Sequence, residues 1–410
     1  MEQNLRVAYF PDTYDEIDGV ANISRQFEAF AGKCGLPFLI VCAGTENGTR
    51  IGGSVIRMMC RRGPFKFPLD KKHRFDLGFW RHYGHVAQAV EKFDPDVLHI
   101  TGPSDVGQLG ALVARRLNIP LAASWHTNLH QYAEQRVSPF LHLLPVGLRE
   151  RAGWAVRESC LSTVLWFYKF ARILFAPNLE LVHLLEKGTG KPVRPMRRGV
   201  DTTLFRPDRR DRKGGEFVIG YVGRLTVEKN IRFLAELEAS LRGSGVSNVR
   251  FTIVGQGAEE SWLRANMKRA DFAGVLRGEA LARAYANMDA FVFPSRTDTF
   301  GNVVLEALAS GVPAIVTDSG GPQYVVTPGE TGFVARNAGE FVSCVRCLIE
   351  GPEQLQKMRE AARISALDAS WDIIFEKLYA DYEDGLRDCP LKQRKAKLRP
   401  QPSVVASRLS

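Results

Sequence analysis

An α/β protein of two doubly wound, Rossmann-like domains facing a cleft is predicted by three observations. Short apolar runs rich in Val, Ile and Phe alternate with helical-period segments, the chain is 410 residues long, and a Pro- and Arg-rich break falls near its middle. In the first half the runs at 6–10, 38–42, 97–100, 121–125 and 173–176 read as strands buried on both faces. In the second half the same reading applies to 218–221, 250–254, 290–293 and 314–316. The break covers 194–211, which places an N-terminal domain at 1–195 and a C-terminal domain at 196–370. Trp371, Ile374, Phe375, Leu378 and Tyr382 then recur every three or four residues, so 371–387 is expected to form a helix packing back toward the N-terminal domain. The basic, Pro-containing segment 388–410 is expected to be a disordered tail. Doubly wound sheets bind ligands at the carboxyl ends of their strands, which points to the cleft between the domains.

Composition narrows the class. With 45% hydrophobic, 24% charged and 10% aromatic residues, the chain has the make-up of a folded globular protein. Its formal charge of +10 suits acidic partners, and the basic residues gather at 57–81 and 392–399. Arg57, Arg61, Arg62, Lys66, Lys71, Lys72 and Arg74 are interleaved with Phe65, Phe67 and Phe75. That cluster reads equally as a solvated loop or as a dock for an anionic membrane surface. No zinc knuckle, helix-turn-helix cue or RNA-binding aromatic motif accompanies it, so nucleic acid is not an expected partner. Seven cysteines, an odd number, suit a reducing compartment, and the first residues lack a secretion signal, so the expected location is cytoplasmic. Cys344 and Cys347 read as two buried thiols one helical turn apart rather than half of a metal site. The apolar stretch 161–177 carries Lys169 and Arg172 and reads as a helix followed by a buried strand, not a membrane span. Asp94-Pro-Asp96 reads as a turn.

Four segments carry chemistry. The run 220–230, GYVGRLTVEKN, is a strand that ends in glycines and opens a helix, with Arg224 and Lys229 just beyond. Two fixed cations at a strand's carboxyl end stabilise the negative charge that builds on a departing diphosphate, Arg as a fork and Lys as a point charge. The run 294–311, PSRTDTFGNVVLEALASG, offers capping chemistry at Thr297 to Thr299, close backbone approach at Gly301 and a helix from Val303. Asp298 there can accept hydrogen bonds from sugar hydroxyls. Glu306, flanked by Leu305, Ala307 and Leu308, needs a partner for its charge, and a ribose diol is one such partner. The run 122–130, AASWHTNLH, brings His126 to the end of a strand, where hydrogen bonding to a sugar or phosphate is expected. His130 is read as packing, because the pair lacks the zinc-binding pattern. Gly19 lies in the loop after the first strand, which on its own reads as a plain connector rather than a ligand loop.

Together these segments resemble the GT-B retaining glycosyltransferases, a family that includes bacterial phosphatidylinositol mannosyltransferases and glycolipid synthases. The resemblance runs from about Val7 to about Tyr382, and it is specific because GRLTVEKN and TDTFGNVVLEALASG occur together and in that order. It implies that Arg224 and Lys229 bind the donor diphosphate and that Glu306 holds the donor ribose. Asp298 would contact a donor-sugar hydroxyl, and here the sequence departs from the family's usual Glu-x7-Glu pattern. Phe300 and Gly301 would give backbone amides to sugar or phosphate, Val275 and Leu276 backbone contacts to the base, His126 a contact near the reacting sugar, and Gly19 the loop beside the phosphates. The implied reaction is metal-independent, same-face transfer of a hexosyl group from a GDP-mannose or UDP-hexose type donor to a lipid or saccharide acceptor. The nucleotide-sugar is the donor substrate and no cofactor is implied. A sugar-nucleotide epimerase, a phosphorylase or a non-catalytic sugar-nucleotide-binding protein on the same body remain alternatives.

Overall fold

A computed structural model describes residues 5–16, 19–63, 66–68, 74–126 and 145–387. His130, Phe65, Lys71, Lys72 and the expected tail 388–410 lie outside these residues. The chain forms two compact units, Met1–Met196 together with the residues from Phe375 on, and Arg197–Ile374.

The strands of the first unit are β1 (Val7–Phe10), β2 (Phe38–Gly44), β3 (Gly48–Gly52), β4 (Val55–Arg61), β5 (Lys66–Pro68), β6 (Arg74–Asp76), β7 (Val97–Ile100), β8 (Leu121–Ser124), β9 (Ile173–Ala176) and β10 (Val193–Pro195). Eight of them form one sheet in the order β10-β9-β8-β7-β1-β2-β4-β3, parallel except for the β3/β4 hairpin, and β5 and β6 pair apart from it. Every residue of β1, β7, β8 and β9 is buried, as strands covered on both faces require. Their helices begin and end by ordinary chemistry. Ser104 accepts from Gly107 N–H to start Asp105–Leu117, Asn178 accepts from Leu181 N–H to start Leu179–Thr189, and left-handed Gly190 stops the latter.

The second unit holds β11 (Phe217–Val222), β12 (Val249–Val254), β13 (Ala270–Gly274), β14 (Ala290–Phe293), β15 (Ala314–Thr317) and β16 (Gly332–Ala335), an all-parallel sheet in the order β13-β12-β11-β14-β15-β16. The predicted α/β class with two doubly wound sheets is therefore what the chain adopts. Both sheets reverse direction at their first strand. In the first, β1 has β2 on one side and β7 on the other; in the second, β11 has β12 on one side and β14 on the other. Crossovers leave such a strand in opposite directions, so the loops after β11 and β14 part and leave a crevice.

The helix Trp371–Arg387 joins the first unit from Phe375 onward. Phe375 stacks on Phe27 with centroids 4.7 Å apart, Tyr379 meets Phe27 edge-on, and Arg194 bonds Asp381 at 3.2 Å and also Asp384. The periodic residues Trp371, Ile374, Phe375, Leu378 and Tyr382 are all buried.

Three details differ from expectation. Cys344 and Cys347 are only half-buried. The basic cluster is partly internal, because Arg57 pairs with Glu28 at 2.7 Å and Arg62 with Asp105 at 3.1 Å, which removes two charges from the surface a membrane would meet. The edge hairpin β3/β4 was not anticipated. Asp94 does turn the chain, with φ of 50°, and Asp96 accepts from the Arg6 backbone N–H at 2.9 Å. Among the described residues no helix is long and apolar enough to cross a membrane.

Candidate active site

The second unit's crevice is built from backbone upward. β11 is wholly apolar but for Gly220, where a Cβ would lie 1.9 Å from Met288 Sδ, so a side chain there would collide with the core. Beyond the strand Gly223 takes φ of 155°, and its N–H donates to Val254 O at 3.0 Å. The Tyr221 hydroxyl donates to Arg224 O at 3.0 Å while its ring stacks on Phe293, which ties the β11 loop to β14. One turn of 3-10 helix, Val227–Lys229, follows and ends at left-handed Asn230. The longer helix starts only at Phe233, so the expected direct passage from strand to helix is interrupted by this turn.

That turn aims Lys229 across to the β14 loop. Its ammonium lies 2.6 Å from Asp298 Oδ1, with side chains 13% and 23% exposed. The other carboxylate oxygen, Asp298 Oδ2, is buried without a hydrogen-bond partner among the described residues. Thr297 Oγ1 donates to Glu228 O at 3.2 Å and closes the same junction. Arg224 is half exposed and sits 3.5 Å from Glu228. The switch point of the sheet thus unites a cation and a carboxylate that lie far apart in sequence.

The β14 loop enters the helix Asn302–Ala309 through Gly301, whose φ is 94°. Capping differs from the sequence expectation: Gly301 is the cap residue, no side chain caps the helix, and Thr297 to Thr299 lie upstream of it. The reason is tertiary. Gly321 N–H donates to Asp298 O at 2.6 Å, and a Cβ on Gly321 would stand 2.0 Å from Thr299 O, so two backbones are pressed together beside the carboxylate. Phe300 is buried behind them. Replacing Gly321 with Ala forces these backbones apart. The expected loss is roughly 3 kcal/mol of stability, read by denaturant unfolding.

Glu306, one helical turn into Asn302–Ala309, accepts the Tyr285 hydroxyl at 2.8 Å. Its enclosure pushes the carboxyl up to about 7, with the Tyr285 bond opposing the rise. The partner that its apolar setting demanded is therefore supplied, at least in part, by protein. On the β12 and β13 side, Gly255 N–H donates to Gly274 O at 2.7 Å, and Val275 follows, exposed, with Leu276 half-buried. A Cβ on Gly255 would reach 1.9 Å from Gly223 O, and one on Gly257 2.1 Å from Leu225 O. Sequence reading passed over Gly255, Gly257, Gly320, Gly321 and Tyr285. The signal for the glycines was present as Gly pairs directly after strands, in 254–257 and 318–321. Nothing local announced Tyr285.

Gly19 and His126 belong to the first unit. Gly19 is the first residue of the helix Gly19–Lys33, the element that follows switch strand β1 in the chain, rather than a loop residue. His126 follows β8, is 7% exposed, and its Nε2 lies 2.7 Å from Ser124 Oγ. Among the described residues no group of three or more metal-ligating side chains occurs.

What the second unit's crevice can do chemically follows from these groups. It offers two cations, a helix that starts at Asn302, one carboxylate with an open acceptor, and a second carboxylate raised to about 7. Two family models match the chain: "Glycosyl transferases group 1" over residues 216–351 and "Glycosyltransferase Family 4" over residues 23–224. A GDP-mannose-dependent alpha-mannosyltransferase of Mycolicibacterium smegmatis is 34% identical over 92% of this chain and 97% of its own length. A GDP-mannose-dependent alpha-mannosyltransferase of Corynebacterium glutamicum is 30% identical over 93% of this chain and 89% of its own. Among solved structures, sucrose-phosphate synthase from Thermosynechococcus elongatus superposes with a TM-score of 0.67 at 17% identity, over 93% of this chain and 98% of that one. The motifs, the two doubly wound sheets and the full-length relatives agree, and the chain belongs to the group 1 glycosyltransferases of GT-B fold.

Proposed function

We propose that this glycosyltransferase moves a mannosyl group from GDP-mannose to a lipid or saccharide acceptor with retention of configuration and without a metal ion. The observation that carries the reading is the Lys229–Asp298 pair at the β11/β14 switch point, with Arg224 beside it and Glu306 on the adjoining helix. The donor is chosen because two full-length relatives carry GDP-mannose dependence in their names.

In this reading Lys229 and Arg224 bind the diphosphate, and Asp298 accepts from a hydroxyl of the mannosyl ring. The amides of Phe300 and Gly301 meet sugar or phosphate oxygens, Glu306 holds the ribose diol, and the backbone of Val275 and Leu276 meets the base. For the first unit, the family resemblance implies that Gly19 lies beside the phosphates and that His126 contacts the reacting sugar. The bond from the anomeric carbon to the diphosphate oxygen breaks as that carbon bonds to the acceptor oxygen on the same face. A diphosphate oxygen takes the acceptor's proton, so no protein nucleophile is needed. Arg224 and Lys229 do the electrostatic work that a divalent ion would otherwise do.

The test is to offer labelled GDP-mannose, UDP-glucose and UDP-galactose with lipid and glycan acceptors, in chelator, and to assign the product anomer by NMR. Alpha-mannosyl product formed in chelator supports the proposal. A beta product, a strict metal requirement or preference for a UDP-hexose overturns the corresponding part of it.

A further inference from the structure

Behind His126 runs a line of buried polar groups that the chemistry above leaves unused. Tyr382, on the helix Trp371–Arg387, shares a hydrogen bond with His99 Nδ1. His99 Nε2 lies 2.9 Å from Ser124 Oγ, and Ser124 Oγ lies 2.7 Å from His126 Nε2. Tyr382 and His99 are 0% exposed and Ser124 is 1% exposed, so water does not interrupt the line. The His99 ring is clamped: Phe175 stacks on it at 5.6 Å, and Tyr9 and Tyr382 meet it edge-on at 5.4 and 5.6 Å. Ser124 is fixed too, since the Tyr168 hydroxyl donates to its carbonyl at 3.0 Å.

The line has a direction. Burial holds His99 neutral, with its pKa lowered to about 3, so it carries one ring proton and donates from one nitrogen only. Tyr382 has no other hydrogen-bond partner among the described residues. If its hydroxyl accepted from His99, the end proton of the line would stay at Tyr382, which is 0% exposed, whereas the opposite direction puts it on His126, the less enclosed end at 7% exposed. Tyr382 therefore donates to His99 Nδ1, His99 Nε2–H donates to Ser124 Oγ, and the Ser124 hydroxyl donates to His126 Nε2.

We infer that Tyr382, His99 and Ser124 form a one-way hydrogen-bond relay that fixes the ring orientation of His126 and keeps its proton on Nδ1. These are positioning residues. Only His126 is assigned contact with the sugar, and that assignment rests on the function proposed above. The relay itself does not. The inference gives the C-terminal helix a chemical part in the first unit's site, since its buried tyrosine sets the direction of every bond in the line.

The full chain is labelled with ¹⁵N-histidine, the His126 ring signals are assigned by their loss in His126→Gln, and long-range ¹H–¹⁵N correlation reads which ring nitrogen carries the proton. The expected wild-type result is His126 protonated on Nδ1, with a mixed tautomer in Tyr382→Phe and in Ser124→Ala. Tyr382→Phe keeps the packing of the ring, and Ser124→Ala serves as the second cut should the first fail to fold. An Nε2–H tautomer in the wild type, or an unchanged Nδ1–H tautomer in both folded variants, overturns the relay. The kinetic arm predicts a fall in kcat on the order of tenfold with little change in KM for donor. Unchanged kcat in both folded variants overturns the positioning role even if the tautomer moves. If no transfer from GDP-mannose is found at all, the tautomer measurement still decides the relay, so the two claims fail separately.

Discussion

Replacing Lys229 with Ala is expected to lower kcat/KM for sugar transfer by about 10²–10³, the largest single effect predicted for this chain. The ammonium is nearly enclosed and 2.6 Å from Asp298, so it acts in a setting where water screens it weakly. Under the proposed function its loss removes the charge that meets the departing diphosphate, and it also leaves the Asp298 carboxylate without its ion-pair partner. Arg224 is half exposed, so Arg224→Ala is expected to cost less, on the order of tenfold. Initial-rate kinetics on variants whose melting temperature matches the wild type would check the order. A Lys229→Ala enzyme within threefold of the wild type would remove this residue from the diphosphate grip.

Glu306→Gln is expected to act on stability and on donor binding in opposite directions, and both effects turn on pH. The carboxyl of Glu306 is raised from an ordinary 4.5 to about 7, first by loss of water, with the Tyr285 bond holding it lower than burial alone would. The folded chain thus holds this proton more tightly than the unfolded chain does. The stability that follows is complete below about pH 4.5 and is lost as pH rises toward 7. At pH 8 the ligand-free Glu306→Gln variant is therefore expected to exceed the wild type in stability, by on the order of 2 kcal/mol, and near pH 4 to equal it. Binding runs the other way. Ionised Glu306 can accept both ribose hydroxyls, so the affinity of the wild type for GDP-mannose should rise through about pH 7 and then level. The Gln variant should bind with little pH dependence and roughly tenfold more weakly at pH 8. Tyr285→Phe removes the opposing bond and should shift the binding midpoint upward. GDP-mannose is the suitable probe because its diphosphate carries no proton that titrates near neutrality. Wild-type affinity that stays flat from pH 6 to 8 would contradict the assignment.

The strands that carry both sheets were legible because VAYF, ILFA, AFVF and AIV are apolar throughout and bounded by breaks, the pattern of strands covered on both faces. The β3/β4 hairpin was not, because GTRIG contains no apolar run and is exposed along its length. Arg224 and Lys229 could be singled out because they follow glycines at a strand end, Asp298 because it stands among capping residues before Gly301, and Glu306 because its neighbours in sequence are apolar. What could not be read was who meets whom. The choice of Gly301 over Thr297 to Thr299 as the cap follows from a bond made by Gly321, in a loop after a different strand. The pairing of Glu306 with Tyr285 joins two helices on either side of β14. Arg57 and Arg62 looked like surface charge because Glu28 and Asp105, which neutralise them, come from other elements. Periodicity reports what an element buries, whereas these partners are fixed by the order of strands.

The central claim is that protein cations at the β11/β14 switch point grip a nucleoside diphosphate. It is tested most directly by calorimetric titration of GDP, in chelator, into the wild type and into a folded Arg224→Ala/Lys229→Ala double variant. The predicted result is measurable binding by the wild type and affinity weaker by about a hundredfold in the double variant. Equal affinity in the two, or binding by the wild type only after a divalent ion is added, would contradict it.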